Sequence, residues 1–176
     1  LAHGLTDVAS SLIDCGAVVH VVAADGTSCL VAACASGMAD EAGRIVARGA
    51  DVHCERDHDR GTALYWACKR GCSELALTLV ARGARDVPGR RSDGVGALYW
   101  ALANRMEDVA LVLLEDTSTV NVSAALRSDG TTPLHCACAM GLERAAHALL
   151  DAGALSVPAR DGATPLALAH AKGIAS

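Results

Sequence analysis

The sequence predicts an all-α solenoid of stacked helix-turn-helix units, and three observations carry that prediction. The first is a landmark leucine that recurs as Leu30, Leu64, Leu98, Leu134 and Leu166, at intervals of 34, 34, 36 and 32 residues. A period near 33 means a unit too small to bury its own apolar face, which stacks on its neighbours instead. The second is phasing. An alanine stands three residues after each leucine (Ala33, Ala67, Ala101, Ala137, Ala169), and seven after it stands Gly37, Gly71, Gly141 or Gly173, with Arg105 alone breaking the series. The third is composition. The chain of 176 residues is 52% hydrophobic but has no Phe and only two Tyr and two Trp, which suits alanine-lined contacts between close helices better than a bulky globular core.

Each element of the unit has a local cause. An Asp-Gly turn opens it, at Asp25-Gly26, Asp93-Gly94, Asp129-Gly130 and Asp161-Gly162. That dipeptide suits a tight hairpin with positive φ. A hydroxyl residue before proline follows at Thr132-Pro133 and Thr164-Pro165. This is an N-cap ahead of a residue whose φ is already helical. The first helix runs until the glycine stops it. The second carries the apolar pairs Leu12-Ile13, Ile45-Val46, Leu79-Val80, Leu113-Leu114 and Leu149-Leu150, and Gly16-Ala17, Gly49-Ala50, Gly83-Ala84 and Gly153-Ala154 close it.

The fifth copy, with Asp129-Gly130, Thr132-Pro133-Leu134-His135, Ala137, Gly141, Leu149-Leu150 and Gly153-Ala154, resembles the ankyrin repeat family, and the phasing extends over essentially the whole chain. The resemblance implies an ankyrin-repeat solenoid with hairpin fingers and a concave groove that docks another protein. Residues 1–176 then form a single repeat domain: a partial repeat 1–24, repeats at about 25–58, 59–92, 93–128 and 129–160, and a partial repeat 161–176. Terminal repeats normally carry polar caps. Neither end has one, and the chain starts at Leu1, so it is expected to be a segment of a larger protein. Repeat four departs most from the pattern. Arg105 replaces the stop glycine and should strain that turn, Thr117-Ser118 replaces Gly-Ala, and the following finger is three residues longer than the first.

Bulk properties exclude several classes. No run of 18 or more apolar residues exists, so no membrane insertion is expected. A net charge of -5 gives no reason to expect nucleic-acid binding. Cys34, Cys68 and Cys138 recur four residues after the leucine. Equivalent stacked helices lie roughly 8–10 Å apart, too far for a disulfide, whose Cα atoms are about 4.4–6.8 Å apart. Free buried thiols favour a reducing compartment, cytoplasmic or nuclear.

The four aromatics fall at two equivalent places, Tyr65-Trp66 and Tyr99-Trp100, each within Ala-Leu-Tyr-Trp-Ala. On a helical wheel Leu64, Ala67 and Cys68 form the core stripe, which puts Trp66 opposite with Lys69 and Arg70, and Trp100 opposite with Ala103 and Asn104. Two readings stand. Each Trp is an anchor for a partner, or each is a semi-buried filler covering its neighbour. Tyr65 and Tyr99, at the place of His135, are expected to serve repeat-to-repeat packing. Lys69, Arg70, Arg90, Arg91 and Arg127 make a basic zone in an acidic chain. Guanidinium forks suit carboxylates and phosphates, and Trp suits apolar anchors. The expected partner is therefore a protein or peptide segment with apolar and acidic or phosphorylated residues, contacted by Trp66, Lys69, Arg70, Arg90, Arg91, Trp100, Asn104 and Arg127. The alternative is a regulatory or substrate-recruiting arm of a larger enzyme or channel.

Other signals look chemical and are not expected to be. His53-Cys54 with Asp57-His58-Asp59 puts possible metal ligands in one finger, but no second half of a zinc motif exists. Cys136 and Cys138 lie two apart on a helix and face different ways. The resemblance implies that His135 is a structural histidine beside Thr132. No nucleophile elbow, Walker A or dinucleotide motif is present, so no enzyme activity, catalytic residue, metal or small-molecule cofactor is expected. The resemblance also puts Asn121 and His53 where some ankyrin proteins are hydroxylated, with Thr119 departing from the usual aspartate.

Overall fold

A computed structural model describes residues 22–24, 26–56, 60–85, 93–116, 120–126 and 128–173. Two compact units, Leu1–Arg85 and Asp86–Ser176, are taken in turn. The apolar and Gly-Ala pairs of the first partial repeat, and Thr117-Ser118, lie outside the described residues.

The first unit holds α1 (Cys29–Ser36), α2 (Ala39–Ala47), α3 (Ala63–Arg70) and α4 (Ser73–Ala81). Ser28 and Thr62 cap the first helices, their hydroxyls accepting from the amides of Val31 at 3.2 Å and Tyr65 at 3.1 Å. Each satisfies one of the orphan N–H groups at a helix start. First helices pack on first helices (α1 on α3), second on second (α2 on α4), and each first helix on its own second helix. Leu30, Cys34, Leu64, Ala67 and Cys68 meet Ile45, Val46, Leu75, Ala76 and Leu79 in the core. The Cys34 and Cys68 thiols form no disulfide and are buried, packing as small groups in the core.

The second unit holds α5 (Ala97–Ala103), α6 (Glu107–Leu114), α7 (Pro133–Met140), α8 (Glu143–Asp151) and α9 (Pro165–Lys172). The same stacking recurs: α5 on α7, α6 on α8 and α7 on α9. Its core is Leu98, Leu102, Val109, Leu113, Leu134, Ala137, Ala145 and Leu149. Among the described residues no second helix follows α9, and the landmark leucine there is 58% exposed against 2% for Leu134.

The stop at the end of each first helix shows why a glycine is wanted. Gly37, Gly71, Gly141 and Gly173 have φ between 71° and 77°, and Arg105 is forced to the same left-handed region at φ 59°. The capping bonds survive the substitution. Arg105 donates to Leu102 O at 3.0 Å and Met106 to Ala101 O at 2.8 Å, matching Gly37 to Cys34 O at 3.1 Å and Met38 to Ala33 O at 3.0 Å. The helix itself is shorter, seven residues in α5 against eight in α1, α3 and α7. The strain expected from the sequence is therefore present at the backbone.

The fingers are slighter than regular hairpins. Among the described residues their β pairing consists of two isolated antiparallel bridges, Val22 with Ser28 and Glu55 with Thr62. So few pairs about one turn cannot propagate a ladder, since two-stranded ribbons are marginal without a packed face. In the first finger Gly26 carries the positive φ expected of the Asp-Gly turn, as do Gly94, Gly130 and Gly162 elsewhere. Arg60 occupies the glycine's place in the finger before α3, with φ 55°.

Candidate functional site

In the first unit the core stripe of α3 buries Leu64, Ala67 and Cys68, and the opposite stripe presents Trp66, half-buried, with Lys69 and Arg70. Among the described residues three cations surround the indole. Arg56 stacks on the ring with its guanidinium carbon 5.0 Å from the centroid, the Lys69 ammonium is 5.2 Å away and the Arg70 guanidinium 6.0 Å away. Each such contact contributes about 0.5–1 kcal/mol where water has access. Tyr65 meets Trp66 edge-on, with centroids 5.3 Å apart. The Lys69 ammonium donates to the Tyr65 hydroxyl at 2.8 Å, which draws the charge toward the aromatic pair. The indole N–H is shielded from solvent and has no hydrogen-bond acceptor among the described residues.

Arg56 was not legible as a site residue. It lies ten positions before Trp66, in the finger. The bridge between Glu55 and Thr62 folds that finger back on the start of α3 and so brings Arg56 over the ring. Beside it Arg60 pairs with Glu55 at 2.9 Å. Only the pairing register of the finger, read from sequence, would have found Arg56.

The second unit gives its tryptophan a different environment. Trp100 is also half-buried and meets Tyr99 edge-on at 5.4 Å. Its indole N–H, however, points at the Asp93 carboxylate, 3.4 Å away. Asn104 is exposed and ends α5 as its C-cap. The two Ala-Leu-Tyr-Trp-Ala motifs are identical in sequence, yet one indole sits among cations and the other beside an acid. Arg90, Arg91 and Arg127 lie outside the described residues.

Tyr99, one position before Trp100, and His135 link successive repeats within the second unit. The Tyr99 hydroxyl meets Thr131 Oγ1 at 2.8 Å, and Thr131 in turn donates to Asp129 at 2.7 Å. Burial pushes the Tyr99 phenol well up, so it stays neutral. His135 is buried, with Nδ1 3.1 Å from the Thr132 amide and Nε2 3.1 Å from the Ala163 carbonyl. An amide can only donate and a carbonyl only accept, so the proton sits on Nε2. With Thr132 this closes a capping box at the start of α7.

Burial pushes the Cys34 thiol up to about 12 and the Cys136 thiol up to about 11, which leaves both protonated and unreactive at neutral pH. Cys54 donates its thiol to the Asp51 carboxylate at 3.4 Å, and the same carboxylate accepts from the His53 amide at 2.9 Å. Asp57, His58 and Asp59 lie outside the described residues. Among the described residues no three His, Cys, Asp or Glu side chains gather closely enough to hold a metal ion. No described helix is long and apolar enough to cross a membrane.

A family model described as Ankyrin repeats (3 copies) matches residues 1–87 and 44–124, and one described as Ankyrin repeat matches residues 129–162. No curated protein matches the chain.

Proposed function

The chain belongs to the ankyrin repeat family, and from that premise we propose that its first-helix face docks an extended partner segment carrying an apolar residue flanked by acidic ones. Ankyrin repeats are generally protein–protein interaction modules and typically not catalytic. The observation that carries the finer reading is the half-buried Trp66 with Arg56, Lys69 and Arg70 about its ring. An aromatic body offers apolar area at low entropic cost, and the surrounding cations favour a partner carboxylate or phosphate over a neutral group. Truncating such an anchor costs roughly 2 kcal/mol or more. Trp100 and Asn104 are the corresponding contacts in the second unit, where Asp93 favours a donor-bearing residue instead. Arg90, Arg91 and Arg127 add positive charge to the sequence of repeats three and four.

The test is capture of a partner from lysate by the native protein and by a folded Trp66→Ala/Trp100→Ala variant, followed by affinity measurements on the partner identified. Loss of affinity in the variant supports the docking face. Equal affinity moves the contact to the fingers or second helices. If neutralising Arg90, Arg91 and Arg127 leaves affinity and its salt dependence unchanged, the acidic character of the ligand is wrong.

A further inference from the structure

We infer that Arg70 is a positioning residue for Trp66, acting on the docking face through the indole and not by its own contact with a partner. This rests on the reading of Trp66 as an anchor, and it removes Arg70 from the set of direct contacts. Both Nε and Nη2 of Arg70 donate to one acceptor, the Ala35 carbonyl, the Nε bond being 2.9 Å long. Ala35 lies in the last turn of α1, one repeat back. Carbonyls there lack an amide four residues further along the helix and carry the negative end of its dipole, so a guanidinium is a fitting cap.

Two donors on one oxygen fix the plane of the guanidinium as well as its position. That plane lies beside the Trp66 ring, 6.0 Å from its centroid. The indole is thereby walled by a guanidinium that is itself anchored 35 residues back, while Arg56 approaches from the finger before α3 and Lys69 from the same helix. Arg82 supplies an internal control. From the end of α4 it makes the same reach of one repeat, donating to Val46 O at 3.1 Å, and it is not one of the cations stacked on Trp66.

The experiment uses the full chain in a Trp100→Phe background, so that Trp66 is the sole indole. Its emission maximum and its quenching by acrylamide are recorded at 25 °C in Arg70→Ala, Arg70→Lys and Arg82→Ala, each with native circular dichroism. Loss of the fork is expected to shift Trp66 emission to the red and raise the quenching constant in both Arg70 variants, because lysine keeps the charge but not the planar pair of donors. Arg82→Ala is expected to lower the melting temperature and leave both optical readings unchanged. A native spectrum in either Arg70 variant, or an equal shift in Arg82→Ala, overturns the assignment and leaves Arg70 as a helix cap. Should Arg70→Ala fail to fold, Arg70→Lys decides. Failure of the docking reading is seen separately, as partner affinity that survives Trp66→Ala.

Discussion

Replacing Arg105 by glycine should stabilise the protein, although it removes a long side chain and adds nothing in its place. The residue is exposed and sits at φ 59°, where its four counterparts are glycines at 71° to 77°. A Cβ added at Gly37, Gly141 or Gly173 would meet nothing within 4 Å, so the cost of a side chain at this stop is conformational and not steric. An L-residue held in the left-handed region costs roughly 1–2 kcal/mol. Glycine gives back about 0.4–1 kcal/mol through the freedom of the unfolded chain, leaving a net gain of about 0.8 kcal/mol. For a chain of this size that is a rise of about 2–3 °C in melting temperature. Urea unfolding followed by circular dichroism should show a higher midpoint at unchanged slope. Two companions sharpen the test. Gly141→Arg should cost a similar amount, and Arg60→Gly should gain less, because relief at φ 55° is offset by loss of the ion pair with Glu55 at 2.9 Å. A midpoint unmoved by Arg105→Gly, with Gly141→Arg tolerated, would refute the strain argument.

Three further outcomes are expected. Thr132→Ala should destabilise by about 1–2 kcal/mol, since it removes the cap of α7 and the capping box with His135, and urea midpoints measure the loss. Asp129 has its carboxyl held below the usual carboxylate range by hydrogen bonds from the Thr131 hydroxyl and amide. The stability it gives is present above the unfolded-state value of about 3.8 and is lost as pH falls through the folded value, so Asp129→Asn should flatten the acid limb of a melting-temperature profile. Thiol titration of the native protein should label the exposed Cys29 well before Cys34, Cys68, Cys136 or Cys138, and early labelling of the buried four would contradict their packing.

Much of the fold was legible because its determinants are local. Caps lie three residues from the amide they satisfy, the stop glycine seven from the leucine, and the core stripe recurs within one helix; none needs knowledge of a distant segment. The same locality made the strain at Arg105 readable. Arg60 escaped notice because the finger before α3 lacks the Asp-Gly pair that marks the others, and the stripe bearing Trp66, Lys69 and Arg70 was legible while its surroundings were not.

By itself the sequence determined an all-α repeat fold, its helix starts and stops, the free buried thiols and the side of α3 on which Trp66 lies. Tertiary structure decided what surrounds each tryptophan. Two identical five-residue motifs end among cations in one unit and beside Asp93 in the other, because the finger path brings Arg56 back over Trp66 and stacking brings Arg70 within reach of Ala35. Helical periodicity fixes which way a side chain points. The charge it meets there also depends on Asp93, seven residues before Trp100, on Arg56, ten before Trp66, and on the Ala35 carbonyl that holds Arg70 from 35 residues back.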